Sequence, residues 1–83
     1  MIDFNGTMIN WVWVKNFSID AVDDEDGNTQ GYFINQYAVD GTVFPVCFYL
    51  DYAGAMEDYE LLLRKIEADK KAQRSGLPQW RWN

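Results

Sequence analysis

Residues 32–50 read YFINQYAVDGTVFPVCFYL. Two runs rich in aromatic and β-branched residues flank Asp40-Gly41, a pair that accepts the positive φ angles of a tight turn, and the pattern is that of an antiparallel hairpin. Counting outward from a two-residue turn pairs Tyr37 with Phe44, Asn35 with Val46 and Phe33 with Phe48. One face of the hairpin is then aromatic and apolar, with Asn35 as its single polar intruder. Pro45 has no N–H to offer a ladder, which makes residues 42–50 an edge strand.

Moving toward the N-terminus, DDEDGNTQG at 23–31 is an acidic loop of turn formers. Before it, Met8 to Val14 is a nearly continuous apolar run and Phe17 to Val22 begins by alternating, so both read as strands, joined by a turn at Lys15-Asn16. That pairing sets Val12, Val14, Phe17, Ile19 and Ala21 on one face and Trp11, Trp13, Ser18 and Asp20 on the other. Ile2 to Phe4 and Thr7 to Ile9 flank Asn5-Gly6, a further hairpin signal.

Moving toward the C-terminus, Asp51 can cap a helix from Ala53 to Ser75, with Met56, Tyr59, Leu62, Leu63 and Ile66 at helical spacing. Gly76 and Pro78 form a stop signal. Leu77 to Asn83 is left as an extended tail carrying Trp80 and Trp82. The fold class is α+β: an antiparallel meander of four or five strands with one C-terminal helix on a face, residues 1–76 forming the domain and 77–83 the tail. The expected core joins Phe33, Tyr37, Phe44, Val46, Phe48, Met56, Leu63 and Ile66. Trp80 and Trp82 are expected to pack as an added strand against Trp11 and Trp13, since residues i and i+2 of a strand share a face.

The 83 residues are 48% hydrophobic and include 14 aromatics, from four Trp, five Tyr and five Phe, enough apolar surface to offset the entropy of ordering one small domain. The net charge of −6 is unevenly spread. Residues 1–60 hold eleven acids and one base, Lys15; residues 61–83 hold two acids and six bases, giving −10 against +4. The acidic part favours a basic partner surface. No apolar run reaches the roughly 20 residues of a membrane span, no basic region and apolar segment precede a cleavage site, and a lone Cys47 suits a reducing compartment. The expected location is the cytoplasm, with no membrane partner.

The sequence contains no histidine and one cysteine, which removes the usual general base, the Ser-His and Cys-His nucleophile pairs and the familiar zinc patterns. Cys47 reads as a small packing residue. The carboxylates at 23–26 do not align with a calcium loop: with Gly27 at the loop glycine, Val22 and Phe33 fall at ligand positions, and with Gly31 there, Tyr37 replaces the required glutamate. Glu57 and Asp58 point in different directions on a helix and suit its N-terminal dipole. No glycine-rich phosphate loop is present. The chain reads as a non-enzyme with no catalytic residue, no metal ligand and no cofactor.

What remains is binding. In size, acidity and compactness the chain resembles phage-encoded inhibitors of host proteins, counter-defence and anti-CRISPR proteins among them; the resemblance is one of format and covers no particular residue. It implies a small module that occupies a functional surface of a protein with basic character. The candidate contacts are Trp11, Trp13, Asp23, Asp24, Glu25, Asp26, Trp80, Arg81 and Trp82, because tryptophan and arginine anchor interfaces and acids steer association. The alternative is a self-associating subunit that uses the tryptophan face as an oligomer interface. A lesser one is weak binding of single-stranded nucleic acid by the basic C-terminus and Trp80-Arg81-Trp82, which the −10 of the remainder opposes.

Overall fold

The computed structural model describes the backbone of residues 1–81 and the side chains of residues 1–73. Strands β1 (Ile2–Phe4) and β2 (Thr7–Ile9) form a two-stranded hairpin; β3 (Val14–Asp23), β4 (Thr29–Ala38) and β5 (Val43–Tyr49) form an antiparallel sheet in that order. Helix α1 (Tyr52–Arg81) follows and packs on one face of the sheet. The architecture is α+β, with a single helix laid on a sheet. No helix among the described residues is long and apolar enough to cross a membrane.

Local chemistry explains the elements that match the sequence reading. Asn5 and Gly6 both adopt positive φ, 51° and 85°, as a tight two-residue hairpin turn requires. Asp51 caps α1 by accepting the Gly54 N–H at 2.6 Å. The helix then buries Ala55, Leu62 and Ile66, with Tyr59 half-buried between them. These meet Phe4 and Ile9 from the first hairpin and Ile34 and Val46 from the sheet, and together they form the core. The Tyr59 hydroxyl donates to the Phe17 carbonyl at 3.1 Å, and the Tyr49 hydroxyl donates to Asp58 Oδ2 at 2.7 Å, so polar clips join α1 to both outer strands. Burial, then the bond to Asp58, pushes the Tyr49 phenol far above its ordinary range.

Four expectations are corrected. Met8 to Val14 is not one strand: β2 ends at Ile9, and Trp11–Trp13 is a 3-10 turn closed by a Trp13 N–H bond to the Asn10 carbonyl at 3.1 Å. No hairpin forms at Lys15-Asn16, which lacks a glycine to take a positive φ; β3 instead runs through it with a register shift between Val14 and Asn16.

The second correction concerns register. Phe33 does face Phe48, but Tyr37 faces Val43, Gln36 faces Phe44 and Asn35 faces Pro45. The turn is a residue longer than expected, closed by an Ala38 N–H bond to the Thr42 carbonyl at 2.8 Å with Gly41 at φ 92°. Val46 is then an extra, unpaired residue opposite the Ile34–Asn35 step, a β-bulge. The two offsets cancel beyond Val46. Pro45 remains on an edge strand, as its missing N–H demands.

Third, the helix covers the other face of the sheet from the one expected. Of the expected core, Val46 and Ile66 are buried, whereas Phe48 is 42% exposed, Phe44 50% and Leu63 40%, and Phe33, Tyr37 and Met56 are only half-buried. Alternation fixes which residues share a face, while the helix decides which face is covered. Fourth, α1 does not stop at Ser75 but runs through Gly76 and Pro78 to Arg81, because a proline removes one backbone bond from a helix that is already nucleated. Leu77 to Arg81 thus continue the helix where an extended tail was expected. The expected docking of Trp80 and Trp82 on Trp11 and Trp13 lies outside the described residues.

Candidate functional site: the open face of the sheet

The face of β3–β4–β5 opposite α1 has no covering element among the described residues. Phe33 and Phe48 face each other across β4 and β5 with ring centroids 5.0 Å apart at 61°, the edge-on arrangement that aromatic rings prefer. Phe48 also lies over Gly31. A Cβ at position 31 would collide with the Phe48 ring and come within 2.7 Å of the Tyr49 carbonyl, so a side chain is excluded there. Exposed Val43 continues the apolar strip toward the Asp40-Gly41 turn beside Tyr37.

Asp20 stands directly across from Phe33 on β3. Its carboxylate accepts from the Tyr37 hydroxyl at 2.6 Å, from Asn35 Nδ2 at 2.7 Å and from the Ser18 hydroxyl at 2.9 Å. All four residues are half-buried. The Tyr37 bond, then that from Asn35, holds the Asp20 carboxyl below the usual carboxylate range, and the same Asp20 bond pushes the Tyr37 phenol up. The group is therefore a fixed negative charge in an aromatic frame. No Lys or Arg of the described side chains lies within ion-pair distance of it.

The acidic loop flanks one end of this face. Asp24 is turned to structural use: its Oδ1 accepts the Asp26 and Asn28 N–H groups, each at 2.9 Å, and Gly27 takes φ 83°. Asp23 accepts the Thr29 hydroxyl at 3.0 Å. Glu25 and Asp26 are exposed. From residue 16 to residue 60 the chain holds ten acids, at 20, 23, 24, 25, 26, 40, 51, 57, 58 and 60, and no base.

The tryptophan candidates do not form one surface. Trp11 is half-buried against the core; its Nε1–H donates to Asp69 Oδ2 at 2.6 Å, and Lys70 Nζ lies 5.3 Å from its ring centroid. That bond, with the amino group of Met1 at 3.0 Å from the same oxygen, holds the Asp69 carboxyl below the usual range. Trp13 is 62% exposed. In a 3-10 turn, residues two apart do not share a face, so the shared strand face expected for Trp11 and Trp13 is absent. Trp80 and Arg81 contribute helical backbone, their side chains lying outside the described residues, as does Trp82 altogether. Sequence reasoning missed Asp20, Asn35 and Tyr37 as a group. The available signal was Asn35, a polar residue at a position otherwise read as apolar core. Among the described residues no group of His, Cys, Asp or Glu is arranged to hold a metal ion.

No protein family, curated protein or solved structure matches this chain.

Proposed function

We propose that the chain is a small non-enzymatic protein-binding module that occupies a functional surface of a basic partner. The observation that carries this reading is the open face: exposed Phe48 and Val43 share it with a hydrogen-bonded carboxylate, in a part of the chain with ten acids and no base. An interface of this composition has apolar anchors for affinity and charge for orientation and encounter. The chain's lack of histidine and the packing of Cys47 against the core support a role without covalent chemistry.

The test is affinity capture from the cells that encode the chain, using the 83-residue chain and a Val43→Ser, Phe48→Ser double variant. Both positions are exposed, so the variant retains the core. A partner retained by the wild type and lost by the variant supports the reading; equal retention by both overturns it. Sedimentation at two concentrations accompanies the capture, because a tight dimer lost in the same variant would assign the face to self-association. Replacing Asp23, Glu25 and Asp26 with amides is expected to slow association with the captured partner more than it speeds dissociation.

A further inference from the structure

Asp20 uses three acceptor positions on neutral donors of its own sheet. A carboxylate offers about four such positions, so accepting capacity remains for a donor arriving from outside the face. Phe33 lies directly across the strand pair and the Tyr37 hydroxyl reaches the same carboxylate, which puts aromatic rings on the approach. A guanidinium suits these surroundings: it is planar, weakly hydrated, forks toward a carboxylate and stacks on aromatic faces. A lysine ammonium is compact and strongly hydrated, and gains less from the rings. The ten acids of residues 16–60 draw in cations and repel anions.

We propose that the open face seats an arginine side chain presented by the basic partner protein, with Asp20 as its anchor and the rings of Phe33 and Tyr37 alongside. This rests on the protein-binding reading and narrows it to one contact chemistry. Desolvation on docking strengthens the pair, since a charge-assisted hydrogen bond gains as water leaves.

The test titrates the isotope-labelled full chain at low salt with a short capped poly-arginine peptide and its poly-lysine counterpart of equal length. The expected result is that the arginine peptide moves the backbone signals of Asp20, Phe33, Asn35 and Tyr37 and the side-chain amide of Asn35. It should bind about tenfold more tightly than the lysine peptide, and Asp20→Asn should remove about tenfold of that affinity, in keeping with hydrogen bonds to charged groups. Asp40→Asn removes the same charge from the far turn and should cost less than about twofold. Equal affinity for the two peptides, equal losses in the two variants, or signal changes confined to residues 23–26 would each overturn the arginine seat. The peptide comparison on the wild type stands even if Asp20→Asn does not fold. If these arms fail while the Val43, Phe48 variant still loses its captured partner, the seat falls and the binding module stands; if both fail, both readings fall.

Discussion

On the side of the sheet that α1 covers, Ile34 is fully buried and Val46 nearly so, and the residues around them are apolar. On the opposite side, alternate residues of the same strands hold a charged carboxylate, an asparagine and a tyrosine hydroxyl beside half-buried Phe33 and exposed Phe48. The two faces have the same backbone and differ in what they must satisfy. The covered face needs shape and volume, because each buried methylene adds roughly 0.8 kcal/mol. The open face carries a charge that three neutral donors hold in place. Apolar burial is concentrated on one side and a hydrogen-bonded polar group on the other.

The sharpest way to break this comparison is to remove volume from the covered side. Ile34→Ala is expected to destabilise by about 2 to 5 kcal/mol in denaturant unfolding, and a loss below about 1 kcal/mol would mean the covered face is not the core. Gly31→Ala comes next. The added methyl meets the Phe48 ring and the Tyr49 carbonyl, for an expected cost of about 1 to 3 kcal/mol. In a Phe48→Ala background the ring collision disappears, so a double-mutant cycle should show coupling between positions 31 and 48; additive effects would dissociate them.

Phe48→Ala alone should cost about 1 kcal/mol, well below the 3 to 5 kcal/mol of a buried phenylalanine, since the ring is 42% exposed. A loss in the buried range would show that the open face contributes to the core. Asp20→Asn is expected to be smallest, below about 1 kcal/mol at neutral pH once solvent screening is allowed for, and its effect should depend on pH. The folded carboxyl titrates below its ordinary value of 3.8. Its contribution is therefore complete above that value and is lost as pH falls through the lowered folded value. The stability difference between wild type and Asp20→Asn should shrink below about pH 4. A constant difference across that range would separate Asp20 from the titration.

The parts legible in the sequence were those decided by neighbours along the chain. Asn5-Gly6 supplies its own turn geometry and Asp51 caps the helix three residues ahead. The choice of face was not legible, because apolar residues occur on both sides of β4 and only the docked helix distinguishes them. Val46 carries no sign of its bulge: it reads as an ordinary strand residue, and the longer turn that offsets it is equally silent. Lys15-Asn16 resembles a turn in polarity but lacks the residue that makes one. Of the binding candidates, the acidic loop was legible as a stretch of sequence, while Asp20 was hidden. Its alternation with Ser18 looks like an ordinary solvent-facing pattern until Asn35 and Tyr37 are set beside it.

The bulge at Val46 also governs inheritance. Phe44 shares its side of the sheet with Gln36, and three positions later Cys47 shares that side with Ile34, although three is odd and an unbroken strand would have put them on opposite sides. The extra residue acts as a half-period phase shift. Loss of that one codon would leave Asn35 opposite Pro45 and Ile34 opposite Cys47 in an unbroken ladder, so Cys47 and Tyr49 would stay on the covered side and Phe48 on the open one. β5 therefore carries a spare residue, a place where the strand can shorten by one while each aromatic display keeps its side of the sheet.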